Sequence, residues 1–176
     1  MNYVMKKQLL IIAVILICPV IYAQTNPIDE LFNKYSEREG FTYVAISGRM
    51  LNMLGSLEAE SKPDNIMLRL KSIRILSEND SLSSGNINFF LELSKKLDFS
   101  VYEELMIVKE GRDVTKFLIK QNGNTISELL VISGGTGGNS LISIRGDINL
   151  KEISELSNTI GIEELEELEG IENKKP

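Results

Sequence analysis

The stretch from Glu103 to Asp147 constrains the fold more than any other part of the chain. Four runs rich in β-branched and apolar residues, Glu103 to Lys109, Val114 to Gln121, Thr125 to Ser133 and Ser140 to Asp147, are separated by turn signals. Gly111-Arg112 and Asn122-Gly123 read as two-residue hairpin turns, because Gly and Asn accept the positive φ that such turns require. Gly134-Gly135-Thr136-Gly137-Gly138-Asn139 reads as a looser, mobile six-residue hairpin loop. Connections this short cannot hold a crossover helix, so the four strands form an antiparallel meander.

Upstream, the period changes. Asn26-Pro27 opens a helix whose Ile28, Leu31, Phe32 and Tyr35 fall on one face, and Gly40 ends it. Thr42 to Ser47 is a strand, Gly48 to Leu54 a short helix, Gly55 to Asn65 a polar loop, and Leu70 to Leu76 a second strand. Ser84-Gly85-Asn86 introduces a helix with Ile87, Phe90, Leu91 and Leu97 on one side, ending near Asp98, and a last helix runs from Leu150 to Thr159. The expected class is α+β: a mostly antiparallel sheet of about six strands, ending in the four-strand meander, with helices packed on it.

Turn lengths set a register. With Asn122-Gly123 as the turn, Phe117 lies opposite Glu128, and across the six-residue loop Glu128 lies opposite Arg145. The three then share one face with Met106, Val108, Ile119, Ile126, Leu130, Ile132 and Leu141. A carboxylate among such neighbours needs a partner, and Arg145 supplies one. Glu128 and Arg145 are therefore the candidate polar pair. The opposite face, with Leu105, Ile107, Leu118, Leu129, Val131, Ile142 and Ile144, is nearly as apolar, so either helices cover both faces or a partner covers one.

The first 23 residues read differently from the rest. Lys6 and Lys7 precede an apolar run from Leu9 to Val20, and Ile21-Tyr22-Ala23 leads to polar Gln24. This is the pattern of a secretory signal peptide, with cleavage between Ala23 and Gln24. The expected organisation is a leader over 1–23, one α+β domain over 24–160 and an acidic tail over 161–176. Ile17 before Cys18 argues against a lipoprotein signal. The short run, interrupted by Pro19, argues against a spanning helix, which needs about 20 residues; an uncleaved leader is the chain's one expected route to a membrane. The expected location is the periplasm, with the outer membrane or the medium as alternatives. Processing leaves about 153 residues, enough for one substantial core, with 17 Lys+Arg against 25 Asp+Glu, a formal charge of −8. Nucleic acid is not an expected partner for such a charge. No cysteine survives processing, so no disulfide staples the fold.

Catalytic motifs are scarce. Without histidine, the usual base for a serine nucleophile and the commonest zinc ligand are both missing. No Ser-x-x-Lys or Gly-x-Ser-x-Gly follows the leader, and the glycine-rich loop lacks the Lys-Ser/Thr ending of a phosphate cradle. Asp147 or Asn149 reads as a helix cap rather than part of a calcium loop. No catalytic residue, metal site or cofactor is expected.

The segments Phe32 to Ser47 (FNKYSEREGFTYVAIS), Ile73 to Glu78 (IRILSE), Tyr102 to Ile132 and Leu141 to Leu156 resemble a known family, domain of unknown function 4252 (DUF4252). The resemblance implies a small exported protein of Gram-negative bacteria, its leader often ending Ala-Gln as at Ala23-Gln24. It implies no activity or catalytic residue, and an association with sigma and anti-sigma factor genes leans toward envelope signalling. The leading expectation is thus a non-enzymatic binding module of the envelope. The alternatives are a carboxylate-dependent hydrolase or small-ligand binder using Glu128 and Arg145, and a structural or holdase-like envelope protein.

Overall fold

The computed structural model describes residues 26–58, 65–79, 87–123 and 125–149. The expected leader with its Ala23-Gln24 junction, the helix from Leu150 and the acidic end lie outside the described residues. Helix α1 spans Pro27–Tyr35, opened by the Asn26 side chain, which accepts the Ile28 N–H at 3.0 Å. Its buried face is Ile28, Leu31, Phe32 and Tyr35. The helix stops at Tyr35 rather than near Gly40; Gly40 instead takes φ +89° in the turn before β1.

Strand β1 (Phe41–Ser47) leads directly into α2 (Gly48–Glu58), which outruns its expected end at Leu54. A short 3-10 turn, Ile66–Leu68, precedes β2 (Leu70–Glu78). Helix α3 covers only Phe89–Ser94, and its inward residues are Phe89 and Leu93. Of the expected face, Ile87 is buried and Phe90 and Leu97 pack against the core, but Leu91 is exposed and Phe89 takes the innermost position. Two asparagines cause this. Asn88 caps the Leu91 N–H at 2.8 Å, and Asn139 accepts the Phe89 N–H at 2.7 Å, so the helix starts at Phe89 and turns that residue into the core.

The meander follows: β3 (Glu103–Glu110), β4 (Asp113–Asn122), β5 (Thr125–Gly134) and β6 (Ser140–Ile148). All six strands form one antiparallel sheet in the order β1-β2-β6-β5-β4-β3. The fold is α+β, as the alternation of periods predicts. After β2 the chain crosses to the far edge and meanders back, so β6 lands beside β2. Gly146 permits this closure. A Cβ there would stand 2.6 Å from the Arg69 carbonyl oxygen, and its φ of +155° suits glycine alone.

Helices lie on both faces. On one side α2 and the 3-10 turn contribute Leu51, Ile66 and Met67 to a core with Ile73, Phe117, Ile119, Leu129, Val131, Ile142 and Ile144. On the other, α1 and α3 pack Ile28, Leu31, Phe32, Tyr35, Phe89 and Leu93 against Leu76, Leu118, Leu130, Ile132 and Leu141. The central residues of both faces are buried. The centre of neither face is open, the exposed large apolar residues of the sheet being confined to the outer strands β1 and β3, which removes an open central face as a reason for a partner.

One register expectation fails. The last β4–β5 pair is Asn122↔Thr125, so the turn falls one residue later than Asn122-Gly123, and the ladder then slips between Ile126 and Glu128. Ser127 is the extra residue of that bulge, its hydroxyl donating to the Lys120 carbonyl at 2.9 Å. Phe117 therefore pairs with Val131, and Glu128 with Lys120. Because side chains alternate, the odd-numbered offset sends Phe117, Ile119 and Ile126 to the face opposite Glu128 and brings Leu118 onto it.

The glycine-rich loop is anchored rather than loose. Asp113 Oδ1 accepts the N–H groups of Thr136 and of Gly137, the latter at 3.1 Å. These bonds, the Gly137 N–H first, hold the Asp113 carboxyl below its usual value of 3.8.

Candidate functional site

Glu128 on β5 faces Arg145 on β6 across the ladder, and only 6% of its surface is exposed. Its Oε1 accepts the Arg145 Nε–H at 2.8 Å and the Ser143 hydroxyl at 2.9 Å, and its Oε2 accepts the Tyr102 hydroxyl at 3.0 Å. Alternation explains why Ser143 and Arg145 point the same way, since they lie two residues apart on one strand. Tyr102 comes from the turn ahead of β3.

The network continues into α1. Asp29, in the first turn of that helix, accepts from Arg74 Nη2 at 2.5 Å and lies 3.6 Å from Arg145 Nη1. Arg74 sits opposite Ser143 on β2, and its guanidinium lies 4.3 Å from the centre of the Phe32 ring. Two strand arginines thus hold a helix carboxylate, clamping α1 to the sheet.

Burial, with the Glu128 charge and hydrogen bond adding to it, pushes the Tyr102 phenol well above its usual 10.0. For Arg145 burial acts downward, but the hydrogen bond and charge of Glu128 outweigh it and the guanidinium is raised. Tyr102 and Arg145 therefore stay protonated at physiological pH and serve as donors to a buried carboxylate both of whose oxygens are engaged. Such a carboxylate is poorly placed for attack or proton abstraction, which both need a lone pair open to a substrate.

A second polar cluster joins α1 to α3. Glu92 accepts from Lys34 Nζ at 2.7 Å and from the Tyr35 hydroxyl at 2.5 Å, while Lys96 pairs with Glu30. Glu30, Lys34, Glu92 and Lys96 border a crevice of about 20 Å³, room for one ordered water and far below the size of a ligand pocket. Burial acts to raise the Glu92 carboxyl, but the Lys34 and Tyr35 hydrogen bonds prevail and hold it below 4.5. A carboxyl whose folded value is depressed stabilises the fold above its unfolded value and loses that contribution as pH falls through the folded one. The melting temperature should accordingly drop below about pH 4.5, and Glu92→Gln should flatten part of that slope.

The structure brings together Glu128 and Arg145, the two residues singled out in the sequence. It adds Tyr102, Ser143, Asp29 and Arg74. The alternating polar positions of Ser143-Ile144-Arg145 and Ser72-Ile73-Arg74 carry a signal for two of these; nothing local marks Tyr102 or the facing of Asp29. Among the described residues, no group of three or more carboxylate, Cys or His side chains is gathered as metal ligands would be, and no helix is long and apolar enough to cross a membrane.

No curated protein and no solved structure matches the chain. The family model described as domain of unknown function (DUF4252) matches residues 35–156, from the last residue of α1 past the end of β6. That span takes in the whole sheet and the Glu128–Arg145 pair, and the chain belongs to the DUF4252 family.

Proposed function

We propose that this chain is an exported, non-enzymatic binding module of the cell envelope, resident in the periplasm, which engages protein through a backbone edge rather than a pocket. The observation that carries this reading is the outer edge of β1. Among the described residues no strand pairs with it, five of its seven residues are exposed, and no charge interrupts it from Phe41 to Ser47. Such an edge offers main-chain donors and acceptors to an added strand. The leader-like residues 1–23 support export, and the family's association with sigma and anti-sigma factor genes supports a role in envelope signalling. Against carboxylate chemistry at Glu128 stand its burial and the hydrogen bonds that engage both of its oxygens.

Cross-linking capture from native envelopes, with tagged wild type and Val44→Lys compared, tests the reading. A reproducible captured protein that is lost with Val44→Lys supports it, as does a bait N-terminus at Gln24. Capture unchanged by the substitution, or none, rejects the binding edge; a bait still carrying residues 1–23 rejects processing.

A further inference from the structure

Resting on that reading, we propose that the occupant of the β1 edge is β1 of a second copy, antiparallel and centred on Val44, so that two sheets join into one. The two edges of this sheet are built differently. The β3 edge carries Glu103, Glu104, Lys109 and Glu110, and its ladder slips between Glu104 and Met106. Charges and bulges of this kind block strand addition. The β1 ladder runs from Phe41 to Ser47 with neither a charge nor a slip.

Strand β1 also complements itself. A two-fold axis at Val44 sets Val44 against its own copy, Tyr43 against small Ala45, Thr42 against Ile46, and Phe41 against Ser47. Each apolar or aromatic side chain meets a neighbour of fitting size, and no like charges face each other. The axis stands normal to the sheet, so both copies carry α2 on the same side. Helix α2 packs on β1 and β2 at this end of the sheet, and it leaves Met50, Met53 and Leu57 in solvent at 43%, 55% and 77% exposure. A lone peptide strand would cover β1 and bring nothing to these residues. A second copy brings its own α2, with the same apolar side chains, to the same side of the joined sheet.

Sedimentation velocity on the processed protein, with Val44→Lys on this edge and Val108→Lys on the other, reads the oligomeric state. The expected result is a wild-type dimer, a dimerisation constant at least tenfold weaker for Val44→Lys, and no change for Val108→Lys. Circular dichroism of each variant confirms folding. A Val44→Cys variant gives an independent readout, since processing removes Cys18. Directly opposed residues of antiparallel strands lie about 4.5 to 5.5 Å apart at Cα, within disulfide reach, so mild oxidation should link two copies. Ser47→Cys, offset from its own copy along the strands, should not link. A wild-type monomer at about 100 µM, or a dimer indifferent to Val44→Lys, overturns the proposal. If the protein is monomeric yet loses an envelope partner with Val44→Lys, the second copy is wrong and the binding reading stands. If neither assembly nor capture responds, both fall.

Discussion

Phe117→Ala is expected to lower the free energy of unfolding by about 3 kcal/mol, the scale of large-to-small changes in a packed core. Phe117 is fully buried. It packs in the cluster that includes Ile119, Leu129, Val131 and Ile142, beneath α2 and the 3-10 turn. Truncating the ring removes its transfer free energy and leaves a cavity that neighbours on a paired central strand cannot collapse to fill. Urea denaturation of wild type and variant, with similar slopes, gives the difference directly. Val108→Ala, at the exposed β3 edge, is the control and should cost less than about 0.5 kcal/mol. A loss below about 1 kcal/mol for Phe117→Ala would mean that the ring is not part of the core.

Arg145→Ala should cost a similar amount, about 3 kcal/mol, for a different reason. The substitution leaves the Glu128 carboxylate, whose side chain is 8% exposed, with only the neutral hydroxyls of Ser143 and Tyr102 as donors. Breaking a buried pair from one side is costly because the remaining charge keeps its desolvation penalty. Glu128→Ala should cost less, about 2 kcal/mol, since Arg145 is 30% exposed and retains Asp29 nearby. The two losses should not add in the double variant, because each removes the same interaction. Arg145→Lys should recover only part of the stability, as an ammonium lacks the forked geometry that serves Glu128 and Asp29 together. Strict additivity, or a cost for Arg145→Ala below about 1 kcal/mol, would show that Glu128 and Arg145 are not coupled as a buried pair across β5 and β6.

The sequence makes the elements legible and the facing of side chains only partly so. Six strands and their antiparallel order within the meander follow from β-rich runs separated by short turns, and the facing of Glu128 and Arg145 follows from counting across the Gly134–Asn139 loop. The placement of Phe117 does not follow. A bulge costs one residue and leaves no mark on composition, so Ser127 looks like any other polar position of an alternating strand. The start of α3 is illegible for a related reason: its phase depends on Asn139, a residue some 50 positions away whose side chain takes the Phe89 N–H. The edge character of β1 is also hidden locally, because Thr42 to Ser47 reads as an ordinary strand whether or not another strand lies beyond it. The candidate site was half visible. Strand alternation can place Ser143 beside Arg145, whereas Tyr102 and Asp29 reach Glu128 and Arg145 only through tertiary packing.

The strand order has a consequence for how the molecule comes into being. β6 is the last strand among the described residues, yet it lies between β2 and β5. Until Ser140–Ile148 is available, the β1–β2 pair and the β3–β4–β5 meander share no ladder, and the pairing of β2 with β6 must close a long loop before it gains anything. A chain released residue by residue, from a ribosome or through a translocation pore, therefore cannot complete its sheet until nearly all of these strands have emerged. The architecture delays its own completion until β6 is available to join the two parts of the sheet.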